Sequence, residues 1–186
     1  MGDLISQKQA TRKAAFARRK AVHSGELRSQ AVTHLLDFLS PYRDRPIAGY
    51  MAIRSEIDPI LAMADLARDA LIGVPVILGE GQPLEFRRWQ VGCQMQDDRF
   101  GARTPVDAAL VIPQVVILPL VAYDGHGFRL GYGGGYYDRT LQALRAAGPV
   151  LAVGFAYSAQ EVAALPVDAM DQRLDVVVTE TGVKIF

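Results

Sequence analysis

Residues 110–155 read LVIPQVVILPLVAYDGHGFRLGYGGGYYDRTLQALRAAGPVLAVGF. An apolar run over 110–118, interrupted by Pro113, leads into a glycine-rich turn. A helix-forming segment over 137–146 and a second apolar run over 150–155 follow. Strand-length, helix-length and strand-length segments in that order make a strand–helix–strand unit. The same order is legible upstream. Residues 47–53, IAGYMAI, read as a buried strand after Pro46, and Asp58-Pro59 opens a helix to about residue 71 by placing an N-cap before a first-turn proline. Residues 74–78 read as the next strand, 159–164 as a short helix and 174–179 as a last strand, while 79–83 and 91–105 read as surface loops. Ahead of all this, residues 4–22 and 26–39 read as two helices rich in Ala, Leu, Lys and Arg, separated at Ser24-Gly25. The expected fold class is α/β. It is a single-domain three-layer sandwich over residues 1–186, with a largely parallel or mixed sheet, helices on both faces and an N-terminal helical arm over about 1–40.

Length and composition bound the function. A chain of 186 residues, half of them apolar and 22% charged, is long enough to bury a core and too apolar to be disordered. Twenty basic and twenty acidic residues give zero net charge, which argues against general nucleic-acid binding. The longest apolar stretch, 108–122, is broken by Pro113, Gln114 and Pro119, so no membrane span is expected. The single cysteine, Cys93, rules out an internal disulfide and fits a reducing, cytoplasmic setting, with a monomer as the expected state.

The zero is unevenly distributed. Lys8, Arg12, Lys13, Arg18, Arg19, Lys20 and Arg28 against Asp3 and Glu26 leave an excess of about five positive charges in the first thirty residues, on an equally acidic remainder. Such an arm reads as a helix laid beside something anionic, or as a solvated face; its basic character also fits a transit peptide, against which Asp3 and Glu26 count. Lys8 and Arg12, four apart, share one helix face and can act on a triphosphate together, or stand as separate surface charges.

The densest chemical signal is Arg129-Leu130-Gly131-Tyr132-Gly133-Gly134-Gly135-Tyr136-Tyr137-Asp138. Four glycines in five positions remove the Cβ atoms that would keep an anion from the backbone, and the next helix adds its positive end. The element is a phosphate cradle or a tight connection. It lacks the Gly-Lys-Ser/Thr of a Walker loop and the early position of a dinucleotide fingerprint. Asp138 fits either a magnesium ligand, since that ion takes one or two protein carboxylates, or a helix-start carboxylate. The three histidines, His23, His34 and His126, read as surface residues.

With these motifs in order, the chain resembles the 5-formyltetrahydrofolate cyclo-ligase family. The resemblance rests on residues 129–138, the preceding Leu118-Pro119-Leu120-Val121-Ala122-Tyr123-Asp124 and Gly127-Phe128, the N-terminal Lys8 and Arg12, and Ser55-Glu56-Ile57-Asp58. It extends to Gly154-Phe155-Ala156-Tyr157 with Gln160, Leu165-Pro166, and the tail from Asp171 through Leu174-Asp175 to Thr179-Glu180. It implies ATP-dependent conversion of 5-formyltetrahydrofolate to 5,10-methenyltetrahydrofolate through a phosphorylated formyl oxygen, with ATP as co-substrate and Mg2+ as cofactor. Chemistry of this kind asks for positioning and charge neutralisation, not for a protein nucleophile. By position, Lys8, Arg12, Arg129, Leu130, Gly131, Tyr132, Gly133, Gly134, Gly135, Tyr136 and Tyr137 resemble the ATP-binding residues, with Arg129 and Lys8 stabilising charge. Asp138 and Asp171 resemble the metal positions. Met51, Glu56, Trp89 and the loop from Tyr132 to Tyr136 resemble the folate-binding set.

Physically, a carboxylate at a strand's end such as Glu56 accepts hydrogen bonds from the donor-rich edge of a pterin, or else serves the helix start near Asp58. Trp89 supplies a flat ring for stacking, or a core side chain. Three departures stand out: Thr104-Pro105 where the family commonly has Glu-Pro, Met170 where many members have His, and the uncharged Tyr132 and Gly134 where a basic residue often sits. The alternative they leave is a folate- or nucleotide-binding homologue with little turnover. A phosphosugar isomerase or acyl-CoA transferase on a similar architecture is a further alternative, and an isomerase would not need ATP.

Overall fold

The structure, a computed structural model, describes residues 2–97, 103–106 and 108–186. Helix α1 spans Gly2–Val22 and α2 spans Gly25–Leu39, and the break between them is made by Ser24, whose Oγ accepts from the Leu27 N–H at 3.3 Å as an N-cap. Then come β1 (Ile47–Ala48), α3 (Ile60–Leu66), β2 (Ile72–Val76), β3 (Glu85–Trp89), β4 (Met95–Asp97), β5 (Arg103–Pro105), β6 (Val115–Pro119), β7 (Ala122–Asp124) and β8 (Arg129–Leu130). Helix α4 (Tyr136–Ala147), β9 (Leu151–Phe155), β10 (Glu161–Val162), β11 (Val176–Thr179) and β12 (Gly182–Ile185) complete the order.

The large sheet runs β12-β11-β9-β6-β1-β2-β3. Its four inner pairings are parallel, and β12 and β3 close the two edges antiparallel, so the sheet is mixed with a parallel centre. Side chains alternate across it, as strand geometry requires. Ile47, Val115, Ile117, Val153, Phe155, Val176 and Val178 face α2 and α3, packing on Leu35, Leu39, Met63 and Leu66. Ala48, Val116, Leu118, Ala152 and Val177 face the other way, with Leu141 of α4. Both faces are covered, which explains why these strands read as continuous apolar runs. This is the expected three-layer α/β sandwich with helices on both faces.

Several local expectations differ. The strand expected over 47–53 keeps ladder pairing only at Ile47–Ala48, because the chain then turns so that the Tyr50 hydroxyl can bond the Ile57 carbonyl. The run 110–118 pairs continuously only from Val115, because Pro113 has no N–H for the ladder. The helix expected over 159–164 is a 3-10 turn at Ser158–Gln160 followed by β10, since Gln160 Oε1 takes the Tyr157 N–H and closes the turn early. The loop expected over 91–105 contains the β4–β5 hairpin, and β3 was not expected at all. Phe100 and Gly101 lie outside the described residues.

A second, three-stranded sheet runs β10-β7-β8. It carries its own apolar cluster of Val121, Ala122, Leu130 and Leu165, closed by Ala15 and Phe16 of α1. The N-terminal helix thus lies on this small sheet, at the point where β8 runs into the glycine-rich turn.

Candidate active site

Asp124, 2% exposed, sets up the approach to the site. Its Oδ1 accepts from the N–H groups of His126 and Phe128 at 2.9 and 3.1 Å, and its Oδ2 from Leu165 N at 3.1 Å. The β7–β8 hairpin is tied at its turn by one carboxylate, and β8 delivers Arg129 and Leu130 directly to the loop 131–135. The loop ends at Gly135, which caps α4 with φ +64 and offers no side-chain cap, so the first N–H groups of that twelve-residue helix meet no competing acceptor from the cap.

Arg12 lies against this loop. Its Nε donates to the Gly131 carbonyl at 2.8 Å, and its guanidinium carbon would lie 3.4 Å from a Cβ on Gly133. Gly133 has φ +110, a conformation side chains rarely adopt, so this glycine is needed both for its backbone and for the space its missing Cβ leaves to Arg12. Arg139 approaches from the helix side. Its Nη2 donates to the Gly134 carbonyl at 2.6 Å and its guanidinium lies 5.3 Å from the Tyr136 ring centroid.

One turn before Arg12, Lys8 donates from Nζ to Asp171 Oδ2 at 2.7 Å and to Asp168 Oδ2 at 2.8 Å. Partial burial works against its ammonium, but hydrogen bonds and charge from the two carboxylates outweigh it and hold the pKa above the ordinary lysine value. Asp168 is correspondingly held low, first by Lys8 and then by the Met170 N–H. Met170 itself is exposed and contributes its backbone N–H, which donates to Asp168 Oδ1 at 2.9 Å, so this loop takes its shape from its own aspartates accepting from main-chain N–H groups.

Arg129 is almost wholly buried. Its Nη2 donates to Asp138 Oδ1 at 2.8 Å and its Nη1 to the Gln172 carbonyl, while Gln172 N returns to Asp138 Oδ1 at 3.0 Å. Burial lowers the Arg129 pKa and Asp138 opposes that. Asp138 therefore does not cap α4; it faces the segment that carries Asp171. Asp138 engages the protein through Oδ1 and Asp171 through Oδ2, and the second oxygen of each has no hydrogen-bond partner among the described residues. No group of three or more His, Cys, Asp or Glu side chains is arranged to hold a metal ion among the described residues. Two carboxylates without imidazole or thiolate suit a hard, oxygen-preferring cation that keeps water and phosphate as further ligands, which is the coordination habit of Mg2+.

On the other side of the loop, Tyr132 points toward Glu56. Glu56 is 4% exposed and its Oε2 accepts from Ile53 N at 2.8 Å, whereas the α3 start is served by Asp58, whose Oδ1 accepts from Ile60 N at 3.0 Å. Burial pushes the Glu56 pKa up, and the Ile53 N–H, Arg19, Tyr132 and Arg54 work against that. Arg19 is fully buried and donates to Ser55 Oγ at 3.2 Å, Leu120 O at 3.2 Å and the Tyr132 hydroxyl at 2.8 Å. The buried Tyr137 phenol is raised by burial and by Glu56, so it stays a donor at neutral pH.

The structure thus brings Lys8 to Asp171, Arg12 to Gly131 and Gly133, Arg129 to Asp138, and Tyr132 to the surroundings of Glu56. Met51 is half-buried against the larger core, and Trp89 is buried within it on edge strand β3. Sequence reasoning missed Arg19, Arg54, Arg139 and Asp168. Arg19 had a signal: it follows Lys8 by eleven residues and Arg12 by seven, three and two helical turns, and so continues their stripe.

The chain has known relatives. The sequence model of the 5-formyltetrahydrofolate cyclo-ligase family matches residues 5–180. The chain belongs to the 5-formyltetrahydrofolate cyclo-ligase family. It is 32% identical over 166 residues to the 5-formyltetrahydrofolate cyclo-ligase of Escherichia coli K12, covering 85% of this chain and 90% of that one. The Haemophilus influenzae cyclo-ligase is 33% identical over 153 residues, covering 78% and 81%. Among solved structures, the 5,10-methenyltetrahydrofolate synthetase of Aquifex aeolicus superposes with a TM-score of 0.78 at 29% identity, over 96% of this chain and 92% of the other. The cyclo-ligase fold and membership in a family of ligases follow, and no described helix is long and apolar enough to cross a membrane.

Proposed function

We propose that this chain catalyses the ATP- and Mg2+-dependent cyclisation of 5-formyltetrahydrofolate to 5,10-methenyltetrahydrofolate, releasing ADP and phosphate. The observation that carries this reading is the convergence on one glycine loop of Arg12, Lys8 and the Arg129–Asp138 pair on one side and a buried carboxylate, Glu56, on the other. Cations and open N–H groups suit a polyphosphate; a buried acceptor suits the amino-pyrimidinone edge of a pterin.

A formamide oxygen is a poor leaving group, and transfer of phosphate makes it a good one. The formyl oxygen attacks the γ-phosphorus, forming an O–P bond as the bond to ADP breaks, and N5 donates its lone pair to give an iminium carbon. N10 adds to that carbon and loses its proton, and the C–O bond then breaks to release phosphate. Arg12 and the loop N–H groups hold the phosphates in line, and Arg129 fixes Asp138 in orientation. Mg2+ held by Asp138 and Asp171 would neutralise phosphate charge. Lys8, presented from α1 beside Asp171, is placed to meet the same phosphates. Glu56 fixes the pterin, and the Tyr132 ring spans the two halves, with Arg19 holding its hydroxyl.

The test is formation of the methenyl product, followed by its near-ultraviolet absorbance, with purified protein. Product is expected only when ATP and Mg2+ are both present; a rate equal to the no-enzyme control refutes turnover and leaves a binding protein.

A further inference from the structure

The loop between β10 and β11 is fixed to the body of the protein at its ends, and Lys8 fixes its middle. Leu165 N donates to Asp124 Oδ2 at 3.1 Å, Gln172 N to Asp138 Oδ1 at 3.0 Å and Leu174 N to the Gly127 carbonyl at 2.8 Å. Between these anchors, the hydrogen bonds of residues 167–171 among the described residues run within the loop itself or to Lys8.

The two carboxylates that hold Lys8 are not equivalent. The Asp171 side chain is 17% exposed, and its Oδ2 takes both Lys8 Nζ at 2.7 Å and Asp168 N at 2.8 Å, so its Oδ1 has no hydrogen-bond partner among the described residues. Asp168 is 42% exposed and has each oxygen engaged, Oδ2 with Lys8 Nζ at 2.8 Å and Oδ1 with Met170 N at 2.9 Å. Asp171 thus offers a cation an oxygen that Asp168 does not. An ammonium has three N–H donors, and these two bonds leave one that no described residue takes.

A divalent cation on Asp171 repels an ammonium held by the same carboxylate, because like charges then lie a few ångströms apart. With Asp171 as its sole anchor, Lys8 would be driven off as the cation arrived, and the phosphates would lose one positive group as they gained another. Asp168 reaches the ammonium from a second point, through an oxygen that the cation does not need.

We propose that Asp168 is a positioning residue for the nucleotide: it keeps the Lys8 ammonium beside the phosphates once Asp171 is given over to the cation. The inference rests on the nucleotide reading of Lys8 and the metal reading of Asp171 proposed above. In the free protein the two aspartates share the ammonium. With the cation in place Asp168 holds it alone, and the N–H groups released from Asp171 turn to phosphate oxygens. Asp168 acts through Lys8 and touches neither the nucleotide nor the cation.

The test is titration calorimetry of adenylyl-imidodiphosphate, an ATP analogue whose γ-phosphate does not transfer, on the full chain with saturating Mg2+ or with EDTA in its place. Four proteins are compared: the unmodified chain, Asp168→Asn, Lys8→Met and the double variant. With Mg2+, Asp168→Asn is expected to weaken binding about fivefold, the upper scale of a partly exposed charge pair. Without Mg2+, Asp171 still holds Lys8, and the change should stay within about twofold. In the Lys8→Met background, Asp168→Asn should alter affinity by less than about twofold in either buffer, as a double-mutant cycle requires of a residue that acts through its partner. The two buffers are compared on one variant, so a merely looser loop weakens both and does not imitate the expected pattern. Equal weakening in both buffers, weakening that persists in Lys8→Met, or no weakening at all overturns the inference. So does a Lys8→Met protein that binds the analogue as the unmodified chain does, since Lys8 is then not a nucleotide contact. The failures are separable. Methenyl product with a flat Asp168 pattern keeps the cyclisation and defeats the role of Asp168; a Mg2+-dependent pattern without product keeps that role and defeats the cyclisation.

Discussion

Asp171 Oδ2 is 2.7 Å from the Lys8 ammonium, joining the first helix to a loop 163 residues later in the chain. Lys8 therefore stands where a metal ligand and a phosphate clamp are both expected, and it neutralises a carboxylate until substrate arrives. Lys8→Ala is expected to raise KM for ATP about tenfold or more, the scale of a lost charge-assisted hydrogen bond, and to change KM for folate little. Steady-state kinetics with each substrate varied in turn checks this. A larger effect on folate than on ATP would remove Lys8 from the nucleotide side.

The same pair makes a prediction in pH. The Lys8 pKa is raised in the folded protein, so the stability it contributes is fully present below the ordinary lysine value and is lost as pH rises through the raised one. Alkaline melts should therefore separate the unmodified protein from Lys8→Met by a constant amount below about pH 10.5, with the gap closing progressively above it as pH rises through the raised value. The convergence point is read by thermal denaturation across pH 8 to 12.

Asp138→Asn keeps an acceptor for Arg129 and Gln172 but removes the charge that a metal would feel. The Mg2+ concentration for half-maximal rate should rise at least tenfold, while folate affinity measured without nucleotide stays within about twofold. Unchanged Mg2+ dependence would assign Asp138 to holding Arg129 alone. Asp138→Ala is a harsher change, because it leaves a nearly buried guanidinium without its carboxylate and should cost on the order of 2 kcal/mol of stability.

Gly133→Ala tests the loop. The new Cβ would sit 3.4 Å from the Arg12 guanidinium on a backbone at φ +110, so strain of about 1–3 kcal/mol is expected. ATP affinity should fall with it, as Arg12 is pushed off the loop. Gly131→Ala is the control: a Cβ there meets nothing within 4 Å, and a small effect is expected.

The parts of this molecule that were legible in the sequence are those whose signal is local. Glycines at 131, 133, 134 and 135, the apolar runs at 110–118 and 150–155, and the break at Ser24-Gly25 each announce themselves within a few residues. Strand β3, Glu-Phe-Arg-Arg-Trp, did not: it exists because β2 offers it an antiparallel partner, and its charged residues mask its alternation. Asp171 was visible only through the family resemblance, since it lies in an irregular stretch with no period and its partner Lys8 is distant in sequence. Arg19 was hidden in plain view among neighbouring cations, where spacing from Lys8 and Arg12 separates the buried one from the solvated ones.

Glu56 carries the sharpest trade between stability and function. Burial raises its pKa, so ionising it costs the folded protein: its contribution is most favourable below the ordinary glutamate value and is lost as pH rises through the raised one. Glu56→Gln removes that cost and should raise the thermal midpoint of the free protein at neutral pH. The neutral amide accepts more weakly from pterin donors, so folate affinity should fall roughly 10–100-fold while ATP affinity is kept. Arg19 acts on the same charge. Because its guanidinium favours the ionised carboxylate, Arg19→Met should push the Glu56 pKa higher still and move the acid limb of kcat/KM for folate to higher pH. A pH profile that keeps its acid limb in Arg19→Met, or a Glu56→Gln protein that melts lower and binds folate as before, would show that the buried carboxylate serves the fold and not the substrate.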